Sequence, residues 1–246
     1  MEQIGTCFPI STSGVYATAA HLFRVFADVR HELKKPEILR KDRLSYQYDE
    51  MRVGICRFIG EREKTTRLFE FVSVLNLFLD HDIALLFVNK PGRLPENFPR
   101  FPIVERPQIG SDISILGYPS GDNLIWEDGG KRNAQIALVE SKGKLTKEFS
   151  SGRDAGLAWF PCFETSARMK AGHSGGPAIL PNIPAVVGVN SSSGDAEHSI
   201  ISWLGKVVDS EFELDDWEMN LGDGRKFNMK GFSIRKMAEL GLASII

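Results

Sequence analysis

Six apolar residues in a row, Ile83-Ala84-Leu85-Leu86-Phe87-Val88, follow directly on Asp82 and constrain the fold more tightly than any other stretch. A run this short and uniform leaves no polar face for water, so it is expected as a strand buried on both faces. Other short runs recur along the chain. Met51–Ile59 alternates in part, and Leu68–Val74 has apolar residues with a period near two. Ile113–Leu116, Ala134–Val139, Leu157–Phe160 and Ala185–Val189 continue the series, broken by Gly, Pro, Asn and Asp. Strand-like runs at fairly regular intervals predict an all-β barrel or sandwich. Helix signals are few. A short helical turn is expected at the start of Ala19–Val29. Ser202–Ser210 and Phe232–Leu242 are helix candidates, with Ser202 and Ser233 as their N-caps. The segment Pro91–Pro107 carries five prolines and predicts a connection between two halves.

The chain has 246 residues, enough for one large domain or a tight pair of small ones. Its net charge of −2 gives no bulk attraction for nucleic acid or anionic lipid, so neither is expected as a partner. No stretch approaches the roughly 18 apolar residues of a membrane span, and no membrane association is expected. Cys7, Cys56 and Cys162 are too few for a disulfide framework and too scattered for zinc. No metal and no cofactor is expected. Met1–Gly5 lacks a basic region leading into an apolar run, and with the sparse cysteines this predicts a cytoplasmic protein. The charged stretches Lys34–Arg43 and Glu211–Glu218 are expected as solvated surface.

One motif carries chemistry: Gly172-His173-Ser174-Gly175-Gly176-Pro177. A serine hydroxyl is a weak nucleophile until a base takes its proton. Attack on a carbonyl then creates an oxyanion that needs N–H donors. Gly172 allows a turn that aims its N–H beside that of Ser174, so Gly172 and Ser174 are the candidate oxyanion-hole donors. A base and an orienting carboxylate are also required. Of the five histidines, His21 in Thr18-Ala19-Ala20-His21 is the candidate base, because small residues before it let a strand end pack closely. Asp82 is the candidate acid, at the junction of polar sequence and a buried strand. Asp80 competes with it, because both would face one side of a strand. His81 would point away from Asp82. His31 and His198 are expected at the surface, and His173 as loop packing.

The segments TAAH, DIALL and GHSGGP, in the order His, Asp, Ser, resemble the trypsin/chymotrypsin-like serine peptidases. Gly117-Tyr118-Pro119 and Thr165-Ser166-Ala167 are closest in detail to bacterial Deg/HtrA-like domains. The resemblance covers about residues 5–209. It implies a chymotrypsin-like fold of two packed six-stranded antiparallel β-barrels with a C-terminal helix, supplied by Ser202–Ser210. The N-terminal barrel would occupy about 1–95 and the C-terminal barrel about 105–209, with 210–246 as an extension of unassigned role. It also implies a serine endopeptidase that cuts protein or peptide substrates through an acyl-enzyme, with His21, Asp82 and Ser174 as triad. Arg168 and Met169 would floor the substrate pocket, with Asn190, Ser191 and Ser192 along one wall. No acid stands at the floor, so a Lys/Arg preference is not implied; Arg168 binding an acidic side chain and Met169 making an apolar pocket both stay open. Three departures stand out. His173 occupies the position where secreted trypsins carry the aspartate that pairs with a new N-terminus, so activation by that cleavage is not expected. No disulfide pattern matches the digestive enzymes, and the PDZ domain that follows the protease in Deg-type proteins is not expected here. The alternative is a latent or non-catalytic protein-binding module on the same fold.

Overall fold

The uniform run is a strand, and each of its faces is buried in a different core. In the computed structural model, β6 (Ile83–Val88) sends Ile83, Leu85 and Phe87 into one apolar cluster and Ala84, Leu86 and Val88 into another. Alternation of side chains across a strand makes this division automatic. Residues 5–23, 38–40, 54–59, 66–88, 101–119, 124–126, 132–134, 137–156, 158–193, 198–212, 218–220, 226–228 and 231–246 are described.

The first half is a six-stranded antiparallel sheet. It comprises β1 (Phe8–Pro9), β2 (Val15–Thr18), β3 (Ile38–Arg40), β4 (Gly54–Ile59), β5 (Thr66–Phe78) and β6, in the order β1-β2-β6-β5-β3 with β4 also on β5. Its described strands form an open sheet, so closure of this half into the expected barrel is not seen among them. The second half closes. Strands β7 (Asp112–Gly117), β10 (Val139–Phe149), β11 (Cys162–Thr165), β12 (Pro177–Leu180), β13 (Ala185–Ser193) and β14 (Ser199–Trp203) form a six-stranded barrel in the order β10-β11-β14-β13-β12-β7. Two short ribbons pair β8 (Leu124–Trp126) with β9 (Arg132–Ala134) and β15 (Glu218–Asn220) with β16 (Lys226–Asn228). Ile113, Ile115, Leu145, Phe163, Ala178, Val187 and Trp203 fill the barrel.

Several segments differ from expectation. Ser202–Ser210 is not an α-helix: it is the end of β14 followed by a single 3-10 turn at Leu204–Val207. All five residues of β14 are buried, and a fully buried strand shows no polar face to mark its period. Of Leu157–Phe160, where a strand was expected, Leu157 lies outside the described residues and Ala158–Phe160 form no strand; the strand begins at Cys162. Ala134–Val139 divides between the ends of β9 and β10, with 135–136 outside the described residues. The short helical turn at Ala19–Val29 is a 3-10 turn over Ala20–Phe23; the rest lies outside the described residues, as do His31 and most of Lys34–Arg43.

The tail forms the α-helix α1 (Ile234–Glu239), N-capped by Ser233, whose side chain accepts from the Lys236 N–H at 3.3 Å. This helix is structural glue. Ile234, Met237 and Ala243 are buried in one cluster with Phe8, Val15 and Phe87 of the sheet and Val186, Val189 and Val207 of the second half. Beyond it, Ile103 N–H donates to Ser244 O (2.8 Å) and Ile246 N–H to Ile103 O (2.9 Å), while Thr12 N–H donates to Leu242 O (3.2 Å). The extension thus packs against both halves.

Candidate active site

The carboxylate is set by an unusual backbone. Asp82 caps the 3-10 turn Leu79–His81 in the left-handed conformation, φ 50°, the one non-glycine residue with positive φ among those described. Asp tolerates that region better than most residues because its short polar side chain bonds locally. The turn leaves Asp80 exposed and Asp82 buried, 3% accessible. His81 therefore lies in a turn and not on a strand, and burial lowers its imidazole pKa, opposed in part by the charge of Asp80.

Donors converge on the buried carboxylate. His21 Nδ1 lies 2.9 Å from Asp82 Oδ2 and 3.1 Å from Oδ1, and the His21 backbone N–H donates to Oδ1 at 2.8 Å. The Ser191 hydroxyl donates to Oδ2 at 2.5 Å. A further backbone bond, Ala20 N–H to Asp82 O at 3.2 Å, straps the two turns together. With Nδ1 facing two carboxylate oxygens, the imidazole carries its proton there and turns a bare Nε2 away from Asp82. His21 is a quarter exposed, so its other edge reaches solvent.

Ser174 stands on the opposite bank, after a built turn. His173 N–H donates to Lys170 O at 3.0 Å, closing a four-residue turn whose third residue, Gly172, has φ 90°. That is type II geometry, which needs positive φ at the third position and so favours glycine. The following N–H groups alternate in use. His173 donates to Lys170, Gly175 to Asn190 O (2.7 Å) and Gly176 to His173 O (2.9 Å), whereas those of Gly172 and Ser174 have no acceptor among the described residues. Gly175, φ 85°, is required on space as well as angle: a Cβ there would lie 2.1 Å from both Thr18 Oγ1 and Thr6 O. The Ser174 hydroxyl donates to Ser191 O at 2.9 Å, so Ser191 touches both the acid and the nucleophile.

His173 is buried, with Nδ1 against Lys170 N (3.2 Å) and O (3.1 Å), and desolvation holds its pKa below the usual imidazole value. Here a neutral side chain folds back onto the loop's own backbone. The residues expected along the pocket are placed as follows. Arg168 is exposed and Met169 half-buried, their N–H groups held by Ser141 Oγ (3.0 Å) and Ser199 Oγ (2.9 Å). Asn190 is buried, its carboxamide donating to Leu116 O (2.9 Å) and His173 O (3.3 Å) behind the loop. Ser192 is half-buried beside it. Sequence reasoning placed Ser191 only along the pocket wall and passed over Thr6 altogether; a small polar residue at a strand edge gives no local signal for either role. Among the described residues no group of three His, Cys, Asp or Glu is placed to hold a metal, and no helix is long and apolar enough to cross a membrane. A cavity of about 650 Å³ lined by Glu105, Arg106, Glu148, Trp203 and Lys206 includes none of His21, Asp82 and Ser174.

A family model described as a trypsin-like peptidase domain matches residues 5–189. Among solved structures, the chain is similar to the MamO protease domain of Magnetospirillum magneticum, with TM-score 0.51 and 14% identity over 83% of this chain and 85% of that one. It is similar to Deg5 with TM-score 0.51 and 19% identity, over 80% and 77%. The active form of the Rv3671c protease of M. tuberculosis gives 0.49 and 20%, over 82% and 70%. At such identities the first two likenesses speak for the fold alone. No curated protein sequence matches the chain.

Proposed function

The chain belongs to the trypsin-like peptidase domain family, and from that premise we propose that it is a serine endopeptidase working through His21, Asp82 and Ser174. The observation that carries this reading is the built Gly172–Ser174 turn, with two N–H groups left uncommitted beside a His–Asp pair. A collapsed loop would have spent one of those donors internally.

The chemistry follows from the contacts. The Ser174 hydroxyl leaves the Ser191 carbonyl, turns to His21 Nε2 and gives up its proton as Oγ attacks the scissile carbonyl. Asp82 holds the Nδ1 proton and stabilises the imidazolium that forms. The N–H groups of Gly172 and Ser174 receive the oxyanion. His21 then protonates the leaving amine as the C–N bond breaks; water, giving a proton to His21, attacks the acyl carbonyl, and His21 returns that proton to Ser174 Oγ as the ester bond breaks. Protein or peptide chains are the substrates of this reaction. Activation by N-terminal cleavage has no counterpart here, because buried, neutral His173 is folded onto Lys170.

The resting contact of Ser174 with Ser191 O is what favours the second reading, a latent module. One experiment separates them. A fluorophosphonate probe labels Ser174 in the folded protein, and Ser174→Ala abolishes labelling. Folded protein that resists the probe and cleaves no member of a peptide library is not a working peptidase.

A further inference from the structure

The buried hydroxyl of Thr6 sits where the segment leading into β1 passes behind the nucleophile. Its side chain donates to Gly172 O at 2.8 Å and accepts the Tyr118 N–H at 3.0 Å. A carbonyl only accepts and an amide N–H only donates, so the single hydroxyl proton has one place to go and its direction is fixed. The same residue uses its backbone as well. Thr6 N–H donates to Ser174 O (2.9 Å), and Thr6 O accepts from Thr18 Oγ1 (2.7 Å).

These bonds hold peptide planes. Thr6 Oγ1 fixes the plane of the 172–173 peptide, and Thr6 N–H fixes that of the 174–175 peptide. The intervening 173–174 peptide is held at His173 O by Gly176 N–H and Asn190 Nδ2. Each peptide is planar, so pinning a carbonyl also sets the opposed N–H. The uncommitted N–H of Ser174 is therefore aimed by three anchored planes in succession. The 172–173 peptide is held at both ends, at Gly172 O by Thr6 Oγ1 and at the His173 N–H by Lys170 O. Thr18 lies three residues before His21, so the same threonine ties the base's strand to the nucleophile's loop.

We infer that Thr6 is a positioning residue: its hydroxyl locks the Gly172–Ser174 turn in the donor-outward form, the task that a cleaved N-terminus performs elsewhere. This inference rests on the peptidase reading of the same site. It extends that reading to a residue that touches no substrate and acts through the turn.

The test compares Thr6→Val, Thr6→Ser and Thr6→Cys in the full chain, with a fluorogenic peptide and a fluorophosphonate. Loss of one oxyanion donor costs about 10²–10³-fold in kcat; a loosened turn is expected to cost about 10–100-fold, with KM within about 2-fold, as befits a contact that matters only in the transition state. Thr6→Ser keeps the hydroxyl and restores kcat to within about 3-fold. Thr6→Cys nearly keeps the size but donates weakly, and it follows Thr6→Val; it decides the matter should Thr6→Val fail to fold. A Thr6→Val or folded Thr6→Cys protein with wild-type kcat overturns the inference while leaving the peptidase reading intact. An unlabelled wild-type protein would overturn the peptidase reading first.

Discussion

Replacing Asp82 by Asn changes one oxygen for an amino group, so a position that accepts from both His21 Nδ1 and the Ser191 hydroxyl becomes a donor. The His21 backbone N–H is a fixed donor, so the carboxamide oxygen takes the Oδ1 position, 2.8 Å from it. The amino group then occupies the Oδ2 position, facing His21 Nδ1, 2.9 Å from the present oxygen, and the Ser191 hydroxyl. A donor facing Nδ1 favours the tautomer with its proton on Nε2, which has no lone pair for the Ser174 proton. The imidazolium also loses its counter-charge at a site 3% accessible. In the Ser-His-Asp template the same change lowers kcat about 10⁴-fold. At 1.36 kcal/mol per decade that is about 5.4 kcal/mol of transition-state stabilisation. The fold should survive, because Asn tolerates the left-handed φ of 50° as Asp does. The assay is kcat/KM on a fluorogenic peptide, beside a thermal melt and the ¹⁵N shifts of the His21 ring. An Asp82→Asn protein that melts normally and keeps activity within tenfold of wild type would refute the assignment of Asp82.

Gly172→Ala places a side chain at φ 90° and costs about 1–2 kcal/mol in the type II turn, so Tm falls by a few degrees at most and kcat by about 10²-fold or more as the turn relaxes; unchanged kcat would mean that the Gly172 N–H is not a donor. Met237→Ala removes a fully buried side chain from the cluster that α1 shares with both halves, at a cost of about 2–5 kcal/mol, and lowers Tm by several degrees; a loss under 1 kcal/mol would show the tail to be dispensable. Burial lowers the pKa of His81 and His173 below 6.5, so the unfolded chain binds more protons than the fold once pH drops below that value. Stability from these groups is fully present above pH 6.5 and lost as pH falls toward their folded pKa values; Tm should decline between pH 7 and 5, less steeply in His81→Gln or His173→Gln, and equal slopes in all three proteins would contradict it.

The strand β6 and the candidate trio His21, Asp82 and Ser174 could be read because their signals are local. Six uniform apolar residues fit no other short element, and the motifs around the trio lie within a few residues each. β10 was missed beyond Val139 because its alternate inward positions include Ser141 and Gly143, whose small side chains leave lysine and glutamate to dominate the pattern. The choice between Asp80 and Asp82 needed the 3-10 turn, which exposes one and buries the other. Ser191 meets Asp82 from 109 residues away, and Thr6 meets Gly172 from 166. Contacts at such separation are products of the whole topology, and no local pattern announces them.

The cluster that α1 shares with Phe8 and Val15 also imposes an order on biosynthesis. Synthesis runs from the N-terminus, so Ser174 has left the ribosome well before Ile234 and Met237 are made. Until they arrive, Phe8, Val15 and Phe87 lack their distal packing partners, and the Thr12–Leu242 bond has no acceptor. The segment bearing Thr6 leads into Phe8 of that unfinished core, so a nascent chain holds His21, Asp82 and Ser174 before it holds this packing. The packing between the sheet and the barrel is therefore completed last, by residues that lie some sixty positions beyond Ser174.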